Sequence, residues 1–163
     1  LIRDPLLNMV SFLNRGKNFY LDNNSPSAEA NLLKMEMDEL EKGELYLWAW
    51  CEMILRFKKI IKSKKISKSY ILKSEDLNSP SKISKMFNFL NIKHSKITHI
   101  EKQNTNLALG FLETRVGIND IKTLENFIRK IPKLEKKNLY EIEKSLQFHK
   151  LNFSKMKEYQ KNV

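Results

Sequence analysis

An arginine and a serine near the start of the chain have the residue types and spacing of a phosphate-binding pair. Arg3 stands before Asp4-Pro5, and Ser11 follows Arg3 by eight residues. A guanidinium forms bidentate hydrogen bonds to phosphate oxygens, and a serine hydroxyl can donate one more. The two side chains could converge on one phosphate if a strand ended at Arg3 and a helix carried Ser11. The alternative is a surface arginine and a small helical filler.

The sequence around this pair predicts a strand, a tight turn and a helix. Leu1-Ile2 is typical of a strand end, Asp4 is a suitable N-cap, and Pro5 is a favoured first helical residue. Apolar residues then recur at helical spacing until Gly16, where the helix is expected to end. In open α/β proteins, ligands collect at the carboxyl ends of strands, which is where this pattern puts Arg3.

The remaining sequence predicts mainly helices. One is expected from near Ser27 to Gly43, after a polar loop over residues 17–26, and a longer one over ELYLWAWCEMILRFKKIIK, buried against a sheet. A short strand is expected at Tyr70–Leu72, and further helices at Ser79-Pro80 onward, 120–130 and 138–150. Residues 94–111 are ambiguous between loop and weak strand. This order predicts an α/β fold, and two strands are too few for so many helices, so further strands are expected outside these residues.

Composition limits the class of protein without identifying it. The chain has 163 residues, 41% of them hydrophobic, which suffices for one domain with a core. Its net charge of +11 is compatible with an anionic partner or with solvated lysine-rich helix faces, and the lack of aromatic-basic stacking patterns favours the latter. Cys51 has no disulfide or zinc partner, and no run approaches the ~18 apolar residues of a membrane span. We therefore expect a soluble, cytoplasmic protein.

Two blocks of the sequence resemble P-loop sulfotransferases. Arg3-Asp4-Pro5 with Ser11 resembles the R-x-P-x-x-x-x-x-S segment that binds the 3′-phosphate of 3′-phosphoadenosine 5′-phosphosulfate in that family. The later block resembles a second segment of that family, in which a Trp-bearing helix is followed by a strand, E-D-L, a proline and a helix ending in F-L-G. Here it contains Glu75-Asp76-Leu77, Ser79-Pro80 and Phe89-Leu90, with Asn91 at the glycine position. The blocks agree with the family in order and separation, and they span residues 1–92.

Two further likenesses are short. ETRVGINDIK is similar to the family's R-K-G-x-x-G-D-W segment, with Arg115 and Gly117 as counterparts, but Val116 replaces the lysine and no tryptophan follows. A plain loop between helices is the alternative. Leu151-Asn152-Phe153 resembles the L-G-Y with which several bacterial members finish, so the chain is expected to lack only N-terminal sequence.

The resemblance implies a fold and a reaction. The fold would be α/β, part of a three-layer P-loop-like parallel sheet, with residues 1–163 as the mostly helical C-terminal part of a single sulfotransferase domain. The intact enzyme would transfer a sulfuryl group from 3′-phosphoadenosine 5′-phosphosulfate to a hydroxyl acceptor, without a metal and without nucleic acid as a partner. Arg3 would pair with the 3′-phosphate, and Ser11 would hydrogen-bond to it.

The catalytic groups that the family uses are expected upstream of this sequence. Sulfuryl transfer needs a general base and cationic stabilisation of the leaving phosphate, and the family places its P-loop and usually its base before the R-x-P segment. None of the chain's four glycines begins a Gly-rich loop that ends in Lys and Ser or Thr. Each of His94, His99 and His149 is expected to be an ordinary residue. No catalytic residue is therefore assigned, and this chain alone is expected to be inactive.

Two rival interpretations remain open. One is a basic, mainly helical module that binds nucleic acid or an acidic protein through its lysines. The other is a different P-loop transferase, such as a nucleotide kinase, which the Glu75-Asp76-Leu77 block after the Trp-bearing helix disfavours.

Overall fold

The computed structural model describes residues 2–14, 25–98, 115–131 and 136–149. These ranges contain five α-helices, which are α1 (Pro5–Asn14), α2 (Lys42–Lys62), α3 (Pro80–Leu90), α4 (Ile118–Lys130) and α5 (Lys136–Phe148). Two short 3-10 helices lie at Met37–Glu39 and Ser74–Asn78. None of the helices in these ranges is both long enough and apolar enough to cross a membrane.

The prediction of an α/β fold with a P-loop-like parallel sheet is wrong for the described residues. They form no strand or sheet, and the two predicted strands are reduced to one isolated parallel bridge between Ile2 and Lys73. The described part is instead helical, with α2 packed against α1, α4 and α5. Helices thus cover the apolar faces of α2 that the prediction had buried against a sheet.

The core is built around α2. Its buried apolar residues face more than one direction. On α4 and α5, the apolar residues that pack against it recur every three or four positions along one face. The least exposed of these residues are Leu47 and Trp48 of α2, Leu124, Phe127 and Ile128 of α4, and Ile142 and Leu146 of α5. Gly43 allows a close approach at the start of α2, since a Cβ there would lie 3.1 Å from Cγ2 of Thr123 and 3.2 Å from Sδ of Met9.

The helix predicted from near Ser27 to Gly43 is also wrong. The segment forms turns and one short 3-10 helix, and Gly43 belongs to the first turn of α2. Side chains of α2 bind the backbone of this segment: the N–H groups of Leu32 and Leu33 donate to the Glu52 carboxylate, and Leu33 O accepts from Nε1 of Trp48 at 2.8 Å. A helix would need those backbone groups for its own hydrogen bonds.

The other predicted helices are confirmed. Leu7 N donates to Oδ1 of Asp4 at 3.0 Å and α1 begins at Pro5, as the N-cap and proline signals predict. The helices α2, α3, α4 and α5 lie within about two residues of their predicted bounds. Most of the predicted loop at 17–26 lies outside the described residues, as does most of the ambiguous stretch at 94–111.

Candidate functional site

Two segments that carry the sulfotransferase resemblance lie side by side. Ile2 N donates to Leu72 O at 2.8 Å, and Ser74 N donates to Ile2 O at 2.9 Å. This parallel bridge joins residues 2–5, here called the Arg3 segment, to residues 73–78, here called the Glu75 block. Segments about seventy residues apart in sequence are therefore adjacent in space.

The Trp-bearing helix reaches the same place. Trp50, which is 8% exposed, donates from Nε1 to Arg3 O at 2.9 Å. Trp48 is also buried, but its indole donates to Leu33 O. The two tryptophans therefore face different ways, and Trp50 alone of the two contacts the Arg3 segment through its indole N–H. The Arg3 segment thus contacts the Glu75 block through the Ile2 backbone and the Trp-bearing helix through the Arg3 carbonyl.

The two residues predicted to bind phosphate differ in exposure. Arg3 is half-buried just before α1, whereas Ser11 is 2% exposed within that helix. Ser11 lies six residues beyond Pro5, so it stands about 9 Å further along the helix axis. A phosphate could reach the Ser11 hydroxyl only if the side chains that cover it moved.

The Glu75 block has the contacts of a structural turn. It is a 3-10 helix in which the Asp76 carboxylate forms an ion pair with Lys82 of α3. Ser74 Oγ donates to Oε2 of Glu75 at 3.2 Å. The Asp76 carboxylate thus helps to position α3, and that of Glu75 is bound within the turn.

Asn91 replaces the glycine of the F-L-G pattern but keeps the helix-end conformation that favours glycine. It ends α3 in the left-handed conformation, with φ 60° and ψ 34°, and Ile92 N donates back to Phe87 O at 2.9 Å. Glycine is favoured at this position of a helix end because it has no Cβ, and asparagine is the commonest substitute.

His149 lies closer to the candidate site than the sequence indicates. It is 8% exposed at the end of α5, and its ring stands edge-on to Trp50 with centroids 6.0 Å apart. Burial lowers the pKa of His149; the nearby Asp4 carboxylate opposes this, Lys73 adds to it, and Glu75 opposes it. Nothing in the local sequence indicates this position, because the contact joins α5 to α2.

The histidines differ in their surroundings. The half-exposed ring of His94 lies with Nδ1 2.8 Å from Ser95 O and Nε2 3.2 Å from Oδ1 of Asn88. His99 lies outside the described residues. Of the two described histidines His149 is the buried one, and we expect its protonation to affect the fold.

Stability should fall at mildly acidic pH through His149. The folded protein favours its neutral form, so the stabilisation is complete above the unfolded pKa of about 6.5 and is lost as pH falls through the lower folded pKa. We expect the melting temperature of the wild type to drop more between about pH 7.5 and about pH 5.5 than that of His149→Gln, measured by thermal denaturation. Equal drops would contradict this assignment.

Cys51 and Gly117, which were also candidates from the sequence, have the contacts of structural residues. Cys51 is 2% exposed, and burial together with the Glu52 charge raises the pKa of its thiol, as is typical of a small residue in the core. Gly117 immediately precedes α4, where its N–H donates to Oδ2 of Asp120 at 2.7 Å, and Arg115 is exposed. The Gly117 contact is that of a residue that caps the N-terminus of a helix.

A buried acidic residue of α2 binds the backbone of the segment that precedes this helix. This role was not predicted from the sequence. Glu52 is 4% exposed and accepts hydrogen bonds from Leu32 N, Leu33 N and Nε of Arg56. Arg56 in turn donates from Nη2 to Oδ1 of Asn31 at 3.0 Å. The available signal was an acidic residue within a strongly apolar helical run.

Comparison with known proteins assigns no relative. No protein-family model, no curated protein and no solved structure matches the chain. Within the described ranges, no three histidine, cysteine, aspartate or glutamate side chains cluster as metal ligands would.

Proposed function

We propose that the chain is part of a sulfotransferase that transfers a sulfuryl group from 3′-phosphoadenosine 5′-phosphosulfate to a hydroxyl acceptor in the cytoplasm. One observation carries the proposal: the two blocks that resemble the family are in contact, since the Arg3 segment binds the Glu75 block through the Ile2 backbone and Trp50 through the Arg3 carbonyl. Unrelated short likenesses would have no reason to converge. The proposal concerns this donor-site arrangement and its residues.

Arg3 is the proposed ligand of the donor's 3′-phosphate. Its guanidinium can form two parallel charge-assisted hydrogen bonds to phosphate oxygens. The N-terminus of α1, which begins two residues later, adds positive potential on the same segment. Ser11 would contribute a further hydrogen bond after movement of the side chains that cover it. Trp50 fixes the Arg3 carbonyl and is a positioning residue in this proposal.

In the proposed reaction the acceptor oxygen attacks sulfur as the bond from sulfur to the phosphate oxygen breaks. Adenosine 3′,5′-bisphosphate leaves, and the acceptor proton passes to a general base. The family places that base and the P-loop before the R-x-P segment, and no P-loop motif occurs in these 163 residues. We therefore expect donor-product binding but no turnover from this chain by itself.

Selective binding of adenosine 3′,5′-bisphosphate tests the proposal. We expect this nucleotide to raise the melting temperature more than adenosine 5′-monophosphate does, because only the former carries the 3′-phosphate. Arg3→Ala should weaken its binding by about 10-fold to 100-fold, the effect of losing a charged hydrogen bond worth roughly 1.5–3 kcal/mol. Isothermal titration measures the affinity. Arg129→Ala, at an exposed position of α4, is the matched control.

Two results would count against the proposal. One is equal stabilisation by both nucleotides, and the other is an Arg3→Ala variant that binds the bisphosphate as tightly as the control. Binding of generic DNA or RNA with a steep loss in salt would instead support the rival basic module.

A further inference from the structure

Most of the net charge belongs to one part of the chain. Residues 53–98 contain 12 of the 30 lysine and arginine residues but only two of the 19 acidic residues, Glu75 and Asp76. This stretch therefore carries +10 of the net +11, and the remainder is nearly neutral. Such segregation indicates a partner of opposite charge more strongly than an even distribution would.

The fold brings two stretches of this region together at the surface. Residues 63–72, which follow α2, contact the end of α3: Nζ of Lys68 lies 3.5 Å from Phe89 O, and the rings of Tyr70 and Phe89 are 5.4 Å apart. The exposed lysines of both stretches are Lys64, Lys65, Lys68, Lys93 and Lys96, here called the basic surface. No ion pair between described residues includes any of these five, whereas Lys58 and Lys62 of α2 pair with Glu141.

Exposed apolar side chains lie among these lysines. Ile66 is 45% exposed, Phe89 is 49% exposed and Ile92 is 47% exposed. An open depression of about 760 Å³ lies beside them, lined by Asn88, Asn91, Ile92, Lys93, His94 and Lys96. The surface thus combines cations, apolar side chains and an open recess large enough for a phosphate-bearing headgroup.

We propose that the basic surface docks on an anionic lipid bilayer. The lysines would contact lipid phosphates and carboxylates, while Ile66, Phe89 and Ile92 would enter the boundary between headgroups and acyl chains. Lysines are attracted electrostatically to an anionic membrane, and apolar insertion adds to this attraction.

The composition of the surface favours a bilayer over nucleic acid. Its cations are all lysines, without the arginines that read bases and stack on them. Its one exposed aromatic ring, that of Phe89, packs on Tyr70, whereas single-stranded nucleic acid binds through several stacking rings. Exposed isoleucines gain nothing from a phosphate backbone but gain from a lipid interface. The inference uses no residue of the Arg3 site and stands apart from the sulfotransferase proposal.

Co-sedimentation with vesicles tests the inference. We expect the chain to bind vesicles of phosphatidylcholine mixed with phosphatidylserine, with affinity that falls as salt rises, and not to bind phosphatidylcholine alone. Replacing Lys65, Lys93 and Lys96 with glutamine should reduce binding by about 100-fold, as expected for three charges worth about 1 kcal/mol each. A matched control replaces the exposed Lys34, Lys42 and Lys122 with glutamine, which removes equal charge elsewhere.

A second variant distinguishes insertion of apolar side chains into the bilayer from attraction of the protein by its net charge. Ile66→Ser with Ile92→Ser keeps every charge and should weaken vesicle binding, while circular dichroism confirms the fold. Equal weakening by both lysine triples would overturn the inference, because net charge alone would then explain binding. Tighter binding to RNA or DNA than to vesicles, lost in the Lys65, Lys93 and Lys96 variant, would overturn it in favour of a nucleic-acid surface.

Discussion

Replacing Glu52 with alanine is expected to lower the free energy of unfolding by about 3–5 kcal/mol, because two backbone N–H groups lose a charged acceptor and each such hydrogen bond contributes roughly 1.5–3 kcal/mol. The carboxylate is 4% exposed and accepts from Leu32 N at 3.1 Å, Leu33 N at 2.9 Å and Nε of Arg56 at 2.6 Å. Removing it leaves the buried N–H of Leu33 without its acceptor and detaches the segment before α2 from that helix. Urea denaturation followed by circular dichroism measures the loss.

Arg56→Ala is the matched control for Glu52. The Arg56 side chain is 44% exposed, so solvent can replace part of its contacts with Glu52 and Asn31, and its removal should cost about 1–2 kcal/mol, less than removal of the carboxylate that also binds two backbone N–H groups. Glu52→Gln, which keeps one acceptor oxygen, should fall between the two alanine variants. A Glu52→Ala variant as stable as Arg56→Ala would show that the segment at residues 25–36 does not depend on this carboxylate.

The second large effect is expected at Trp50. Trp50→Ala should cost about 3–5 kcal/mol, because it removes a large buried ring as well as a hydrogen bond. Trp50→Phe keeps most of the ring but leaves Arg3 O without the indole donor, which should cost about 1–3 kcal/mol. If Trp50 positions Arg3, the phenylalanine variant should also bind adenosine 3′,5′-bisphosphate more weakly.

Trp48→Phe provides the matched control. Trp48 is 2% exposed and donates to Leu33 O at 2.8 Å, so its phenylalanine variant loses an equivalent indole hydrogen bond away from Arg3. The two variants should be destabilised similarly in urea, while only Trp50→Phe loses nucleotide affinity in isothermal titration. Equal affinities in both variants would reduce Trp50 to a core residue.

Local signals were sufficient to predict most helices. The Asp4-Pro5 start of α1, the proline at the start of α3 and the apolar pattern of α2 each act over one or two helical turns, so neighbouring residues contain the information. Asn91 shows the same principle at a helix end. Its left-handed conformation depends on its own backbone and side chain, and the resemblance to F-L-G already indicated the position.

Local sequence signals gave wrong secondary-structure predictions where side chains distant in sequence form hydrogen bonds to the backbone. The segment predicted as a helix near Ser27 contains enough apolar residues for one, but Glu52 and Trp48 of α2 take its N–H and C=O groups. The predicted sheet failed for a related reason. Short apolar runs do not reveal their partners, and in the described residues helices cover α2, with a single bridge at Ile2.

The sequence by itself determined the helices, their caps, the order of the segments that resemble sulfotransferases, and the concentration of positive charge in residues 53–98. Only the tertiary structure decided that Arg3, Trp50 and the Glu75 block meet, that His149 joins them, and that Lys68 lies against the end of α3. The physical reason is one of range. Propensity and capping act within a few residues, whereas these contacts join residues tens of positions apart and depend on how the whole core packs.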